Sequence, residues 1–202
     1  MMAAAAAKAM ARLQRLWQAK PTFWLLLALP ALPMMAEFFG GNVHRLYYPS
    51  GVMAVRLVVA ALLLTPLSLL FPQSTALRWL IRRRRAIGVA GFGYAALHTL
   101  AYVVDEGSAA AMVAALPDPA IWSGWLAFVI LLVLAATSND ASVRRLGRRW
   151  KRLQRLAYGA AGAAVLHWIT LQYHFAPALW HVMPLVLLSL WRVGRWQGWW
   201  RR

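Results

Sequence analysis

The chain has 202 residues, 62% of them hydrophobic and only 13% charged, and its 22 lysines and arginines outnumber five acids to give a formal net charge of +17. Soluble domains carry about half apolar and a quarter charged residues, so the composition excludes an ordinary soluble fold, and cations in short bursts between long apolar runs mark topology rather than a nucleic-acid-binding face. Having no cysteine, the chain has no disulfide, thiolate metal site, iron–sulfur cluster or thioether-linked haem.

Residues 1–20 form a basic cytoplasmic segment carrying Lys8, Arg12, Arg15 and Lys20. It reads either as a helix on the inner surface, with Leu13, Leu16 and Trp17 toward lipid, or as a loosely ordered tail. A span needs about 20 mainly apolar residues, and six stretches qualify: 21–39, 51–72, 86–104, 119–137, 153–173 and 177–193. The expected fold is therefore an all-α integral membrane protein, a bundle of six transmembrane helices over 21–196 followed by a short basic, Trp-rich tail at 197–202. The first stretch is expected to be retained, because Met34-Met35-Ala36 is a poor signal-peptide cleavage site. Pro30, Pro33, Pro66 and Pro184 fall inside spans, where membrane helices tolerate kinks.

The connections alternate in charge. Cations fill the segment before the first span, the second connection (Arg78, Arg82 to Arg85), the fourth (Arg144 to Arg152) and the tail (Arg192, Arg195, Arg201, Arg202). The first connection has only Arg45, the third only Asp105, Glu106 and Asp118, and the fifth no formal charge. The positive-inside rule then places both termini in the cytoplasm. Trp79, Trp122, Trp150, Trp180, Trp196, Trp199 and Trp200 fit interfacial belts.

Two of five histidines, His98 and His167, lie within spans, and an ionisable residue there is a functional hypothesis by default. The bland alternative is a neutral imidazole hydrogen-bonded across helices. Both predicted helices run outward, and each histidine lies seven residues before an outer-end residue, Asp105 or His174, hence about 10 Å inside. Two imidazoles at one level on two helices can supply both axial positions of a haem iron. Three and seven residues earlier on each helix stand Ala95 and Gly91, and Ala164 and Ala160, giving a smooth strip for a flat macrocycle or for ordinary small-residue packing. Arg56, about five residues into the second span, either snorkels to the surface or pairs with a haem propionate, as does Arg45. Zinc or non-haem iron lacks enough ligands, a hydrolase triad lacks a buried acid, and no phosphate-cradling glycine motif is present.

Several stretches carry a family resemblance: LLLTPL (62–67), LIRRRRAIG (80–88), YAALHTLAY (94–102), ATSNDASVRRLGRRWKRLQR (136–155) and VLHW (165–168). Over residues 45–175 the chain resembles the MsrQ (YedZ) family, the haem-binding membrane subunit of a bacterial methionine sulfoxide reductase system, within the ferric reductase-like transmembrane superfamily. The resemblance implies a six-helix b-type cytochrome of the inner membrane. It would pass electrons from quinol or a flavin donor to a periplasmic molybdopterin partner similar to MsrP, an electron-transfer subunit rather than a catalytic chain. It also places His98 and His167 at haem-ligand positions. Where the family carries a further histidine in the basic connection, this chain has Gln154, a poor iron ligand, so the resemblance implies one haem b here and argues against a second. A single outer haem needs a second carrier toward the cytoplasm, such as quinone within the bundle or FMN near the inner loops. Arg82 to Arg85 and Arg144 to Lys151 serve topology first, and anionic membrane lipid, a flavin phosphate or a donor protein second. The competing reading is a non-catalytic scaffold subunit of a larger membrane complex, with both histidines merely hydrogen-bonded; a small transporter is disfavoured by the lack of buried acids and repeats.

Overall fold

The structure, a computed structural model, describes residues 20–172 and 175–196; the N-terminal segment, His174 and the tail after Trp196 lie outside the described residues. Among the described residues every regular element is helical. Helices α1 (Lys20–Ala28) and α2 (Ala31–Phe39) meet at a bend of 52°. Pro30 sits at that bend; it has no N–H to donate and restricts Leu29 before it. A single 3₁₀ turn, Val43–Leu46, feeds α3 (Tyr47–Leu70), which continues through Pro66. The helix α4 (Thr75–Glu106) starts where the Ser74 hydroxyl accepts the Leu77 N–H and ends at Gly107, whose φ of 62° stops the helix at little steric cost. A short α5 (Ala109–Ala114) leads to α6 (Pro119–Ala136), capped by the Asp118 carboxylate on the Ala120 N–H at 2.8 Å, with Pro119 in the first turn. Then follow α7 (Asp140–Leu146), α8 (Arg148–Gln154), α9 (Leu156–Gln172) and α10 (Phe175–Trp196).

Among the described residues, four helices are long and apolar enough to cross a membrane: Val43–Leu70, Thr75–Glu106, Pro119–Ala136 and Ala176–Arg195. The bent pair α1–α2 makes a fifth if it is one span. The expected fifth stretch, 153–173, starts later than its apolar pattern suggested, because the chain breaks at Arg155 between α8 and α9. With 17 residues, α9 is about 25 Å long, short of the roughly 30 Å hydrocarbon layer.

The most extensive helix pairings are α3 with α4 and α6 with α9; contacts of α4 with α6 and of α3 with α9 close these pairs into a four-helix ring. The last helix, α10, leans on α3 and α9. Leu62, 1% exposed, sits where these elements converge, among Val58, Val59, Leu131, Ala160, Ala161 and Leu185. Leu62→Ala is expected to cost about 2–5 kcal/mol, read as a lower unfolding temperature in detergent.

The arginines of the second connection continue α4 rather than forming a loop. Arg83 stacks 3.9 Å above the Trp79 ring, Arg84 Nη1 donates to Thr65 Oγ1 at 3.0 Å, and Arg85 pairs with Asp140 at 2.6 Å. The Thr-Ser-Asn segment beyond α6 folds as a hydrogen-bonded corner. Asn139 caps α7 on the Ser142 N–H, Trp150 Nε1 donates to the Thr137 carbonyl at 2.9 Å, and Gln154 Nε2 reaches the Leu134 carbonyl at 3.4 Å.

Candidate functional site

A cavity of about 490 Å³ opens inside the four-helix ring, a volume in the range of cofactor pockets. Its walls come from residues 47–59 of α3, 95–102 of α4, 121–131 of α6 and 160–171 of α9. It thus occupies the end of the bundle opposite the arginine-rich segments at 78–85 and 144–155. The walls are mostly apolar, Val58, Val59, Phe128, Leu131 and Ala160 among them, and His98 on α4 and His167 on α9 also line the cavity.

The two imidazole centres lie 5.9 Å apart with their planes crossed at 89°. The Nδ1 of His98 lies 3.0 Å from the Tyr47 carbonyl oxygen on α3 and 3.4 Å from Ser50 Oγ; the Nδ1 of His167 lies 2.5 Å from the Ala120 carbonyl oxygen on α6. A carbonyl oxygen only accepts, so each ring carries its proton on Nδ1, which leaves a lone pair on Nε2. Among the described residues neither Nε2 has a hydrogen-bond partner. This is the arrangement of metal-ligating histidines, whose second nitrogen donates to a fixed acceptor that sets tautomer and orientation. A metal held between two imidazole nitrogens at roughly 2 Å each puts the ring centres about 6 Å apart. Among the described residues no cluster of three or more His, Cys, Asp or Glu offers a metal site of another kind.

The sequence of residues 50–165 matches the family described as ferric reductase like transmembrane component. A protein of Rhizobium meliloti named as the heme-binding subunit MsrQ of protein-methionine-sulfoxide reductase is 39% identical over 73% of this chain and 71% of its own length. Its namesake from Cronobacter sakazakii is 33% identical over 91% of this chain and 98% of its own. The chain belongs to the MsrQ family. A third MsrQ, from Ralstonia nicotianae, is 38% identical over 72% of this chain and 69% of its own. No solved structure matches the chain.

The cavity fits the prosthetic group named for these MsrQ relatives on three counts: two imidazoles anchored through Nδ1 with ring centres 5.9 Å apart, mostly apolar walls, and an unsatisfied polar atom. That atom is the hydroxyl of Tyr102, one turn beyond His98 on the cavity wall, buried and without a hydrogen-bond partner among the described residues. Such a group costs about 1–3 kcal/mol unless a bound molecule satisfies it.

Of the small residues expected on the histidine faces, Ala95, Ala160 and Ala164 line the cavity, and Gly91 does not. Gly91 lies where α4 closes on α3: a Cβ there would stand 3.1 Å from Val58 Cγ2. The two expected propionate partners also stand outside the lining. Arg45 pairs with Glu37 at 3.6 Å, and Arg56 Nε donates to His181 Nε2 at 3.0 Å, tying α3 to α10. Gln154 lies at the other end of the bundle, on the corner at Thr137. Sequence reasoning missed Tyr102 and the two glycines under the imidazoles, Gly51 and Gly124. A signal for the glycines was present: Ser-Gly occurs in this sequence only at 50–51 and 123–124.

Proposed function

We propose that this chain is the haem-carrying, electron-transferring subunit of a membrane-bound methionine sulfoxide reductase system, with His98 and His167 as the two axial ligands of one b-type haem. The observation that carries the reading is the pair of Nδ1-anchored imidazoles, their ring centres 5.9 Å apart, that line one mostly apolar cavity. The bound haem supplies a one-electron carrier, and its axial ligands and burial set the potential. The residues of the chain do the rest. The carbonyls of Tyr47 and Ala120 hold each imidazole in the ligating tautomer. Val58, Val59, Phe128 and Leu131 keep water from the buried end. The Tyr102 hydroxyl offers a hydrogen bond at the polar edge, the part first assigned to Arg45 and Arg56.

The orientation follows from charge. With both termini and the arginine-rich segments on the cytoplasmic side, α1–α2 and α9 complete six spans and the cavity opens toward the outer face. Electrons then leave toward a periplasmic molybdopterin partner. They arrive from the inner side, from quinol or a flavin donor, through a second carrier, because the cavity lies far from the cytoplasmic surface. A reduced-minus-oxidised absorption spectrum of the purified chain is the test: a low-spin b-type signal near one haem per chain is expected. Folded protein without haem, made under adequate haem supply, favours the scaffold reading instead.

A further inference from the structure

The two imidazoles are seated by the same local design, built twice. On α3 the run is Tyr47-Tyr48-Pro49-Ser50-Gly51, and on α6 it is Ala120-Ile121-Trp122-Ser123-Gly124. In each, the first residue offers its carbonyl to a histidine on the neighbouring helix, His98 on α4 or His167 on α9. The serine three residues on turns its hydroxyl back to the preceding carbonyl, Ser50 to Leu46 and Ser123 to Pro119, and more distantly reaches the histidine's own acceptor, 3.5 Å from the Tyr47 oxygen and 3.2 Å from the Ala120 oxygen. Ser50 and Ser123, each 0% exposed, are the buried polar side chains among the described residues. The glycine four residues on donates its own N–H to the same carbonyl in the helix ladder, so the imidazole must take that oxygen's second lone pair.

To reach it, each ring comes close against the glycine. A Cβ at Gly51 would stand 3.2 Å from His98 Nδ1, and a Cβ at Gly124 would stand 2.7 Å from His167 Nδ1. The first distance requires the ring to give by a few tenths of an ångström. The second is closer than real Cβ contacts come, so the ring must move off its carbonyl.

We propose that Gly51 and Gly124, each with its buried serine, are positioning residues that seat the two iron-ligating imidazoles, and that α3–α4 and α6–α9 are two copies of one ligand-holding hairpin. The serine takes the neighbouring carbonyl as its shorter acceptor, which leaves the nearer approach to the second carbonyl to the ring. The glycine removes the atom that would bar it. This proposal rests on the ligand reading above and adds an asymmetry: the seat of His167 is the tighter one.

The test uses the full-length protein in detergent and three variants: Gly124→Ala, Gly51→Ala and, as a control on the same helix as His167, Gly162→Ala. A Cβ at Gly162 meets no described atom within 4 Å. The readouts are haem-to-protein ratio, the low-spin electron paramagnetic resonance signal and the midpoint potential. An imidazole pushed off its carbonyl is a less basic ligand. Gly124→Ala should therefore raise the midpoint potential and lower haem retention about tenfold, the scale of losing an outer-shell partner. Gly51→Ala should shift the potential in the same direction by less, and Gly162→Ala should leave all three readouts at wild type. Wild-type potential and signal in both seat variants would overturn the proposal, as would an equal shift in the control. If Gly124→Ala is not monodisperse, Gly51→Ala decides, and an unchanged potential there overturns it. A wild-type chain whose low-spin signal is absent, or survives His98→Ala and His167→Ala, instead defeats the ligand reading and takes this proposal with it.

Discussion

His98→Ala and His167→Ala are each expected to abolish the low-spin b-type signal of the purified protein while leaving a folded, monodisperse chain. Disturbing even an outer-shell partner of a metal ligand costs about 10–100-fold in affinity, and removing the ligand itself costs more. Both side chains project into the cavity rather than into the packed core around Leu62, so their loss leaves the helix contacts in place. The carbonyls they release, at Tyr47 and Ala120, still accept from the helix ladder. The double variant should bind no less haem than either single one, because the two ligands act as a unit. Full haem occupancy in either single variant, measured by pyridine haemochrome against protein concentration, would remove that histidine from the site.

Ala164→Trp is expected to exclude haem without touching a ligand. Ala164 lines the cavity one turn before His167, and an indole there projects into the space the macrocycle needs. Overpacking a fitted site costs about 1–3 kcal/mol, which as a loss of affinity is roughly 5- to 150-fold. Gly162→Trp, two residues earlier on an exposed face of α9, should keep its haem. Equal haem content in the two variants would show that the cavity is not where haem sits. The comparison separates occupancy of this space from general damage to α9, since both variants place the same bulky side chain on the same helix.

Four of the six apolar stretches, and the first as a bent pair, reappear among the described residues as candidate spans, because hydrophobic runs report directly on long apolar helices. The meeting of His98 and His167 was legible too: similar distances from the C-terminal ends of two predicted spans place them at one level. Depth is not angle, however. Arg56 lies near the right depth, but faces α10 and His181, while its neighbours Val52, Val55 and Val59 face the cavity. Gly91 shares the face of His98 two turns on, yet α4 has already closed on Val58 there. Backbone acceptors leave almost no trace in a sequence, so the carbonyls of Tyr47 and Ala120 were invisible. The paired Ser-Gly dipeptides were visible, but two matching residues fall far short of a detectable repeat. Only the position of each pair under an imidazole gives the repetition meaning.

Among the described residues, every wall of the cavity comes from residues between Tyr47 and Leu171, and α10 contributes none of its lining. During synthesis the compartment is therefore complete in outline before α10 leaves the ribosome. The compartment thus needs nothing from α10, which, tied on through Arg56 and His181, arrives as a brace on a vessel already shaped.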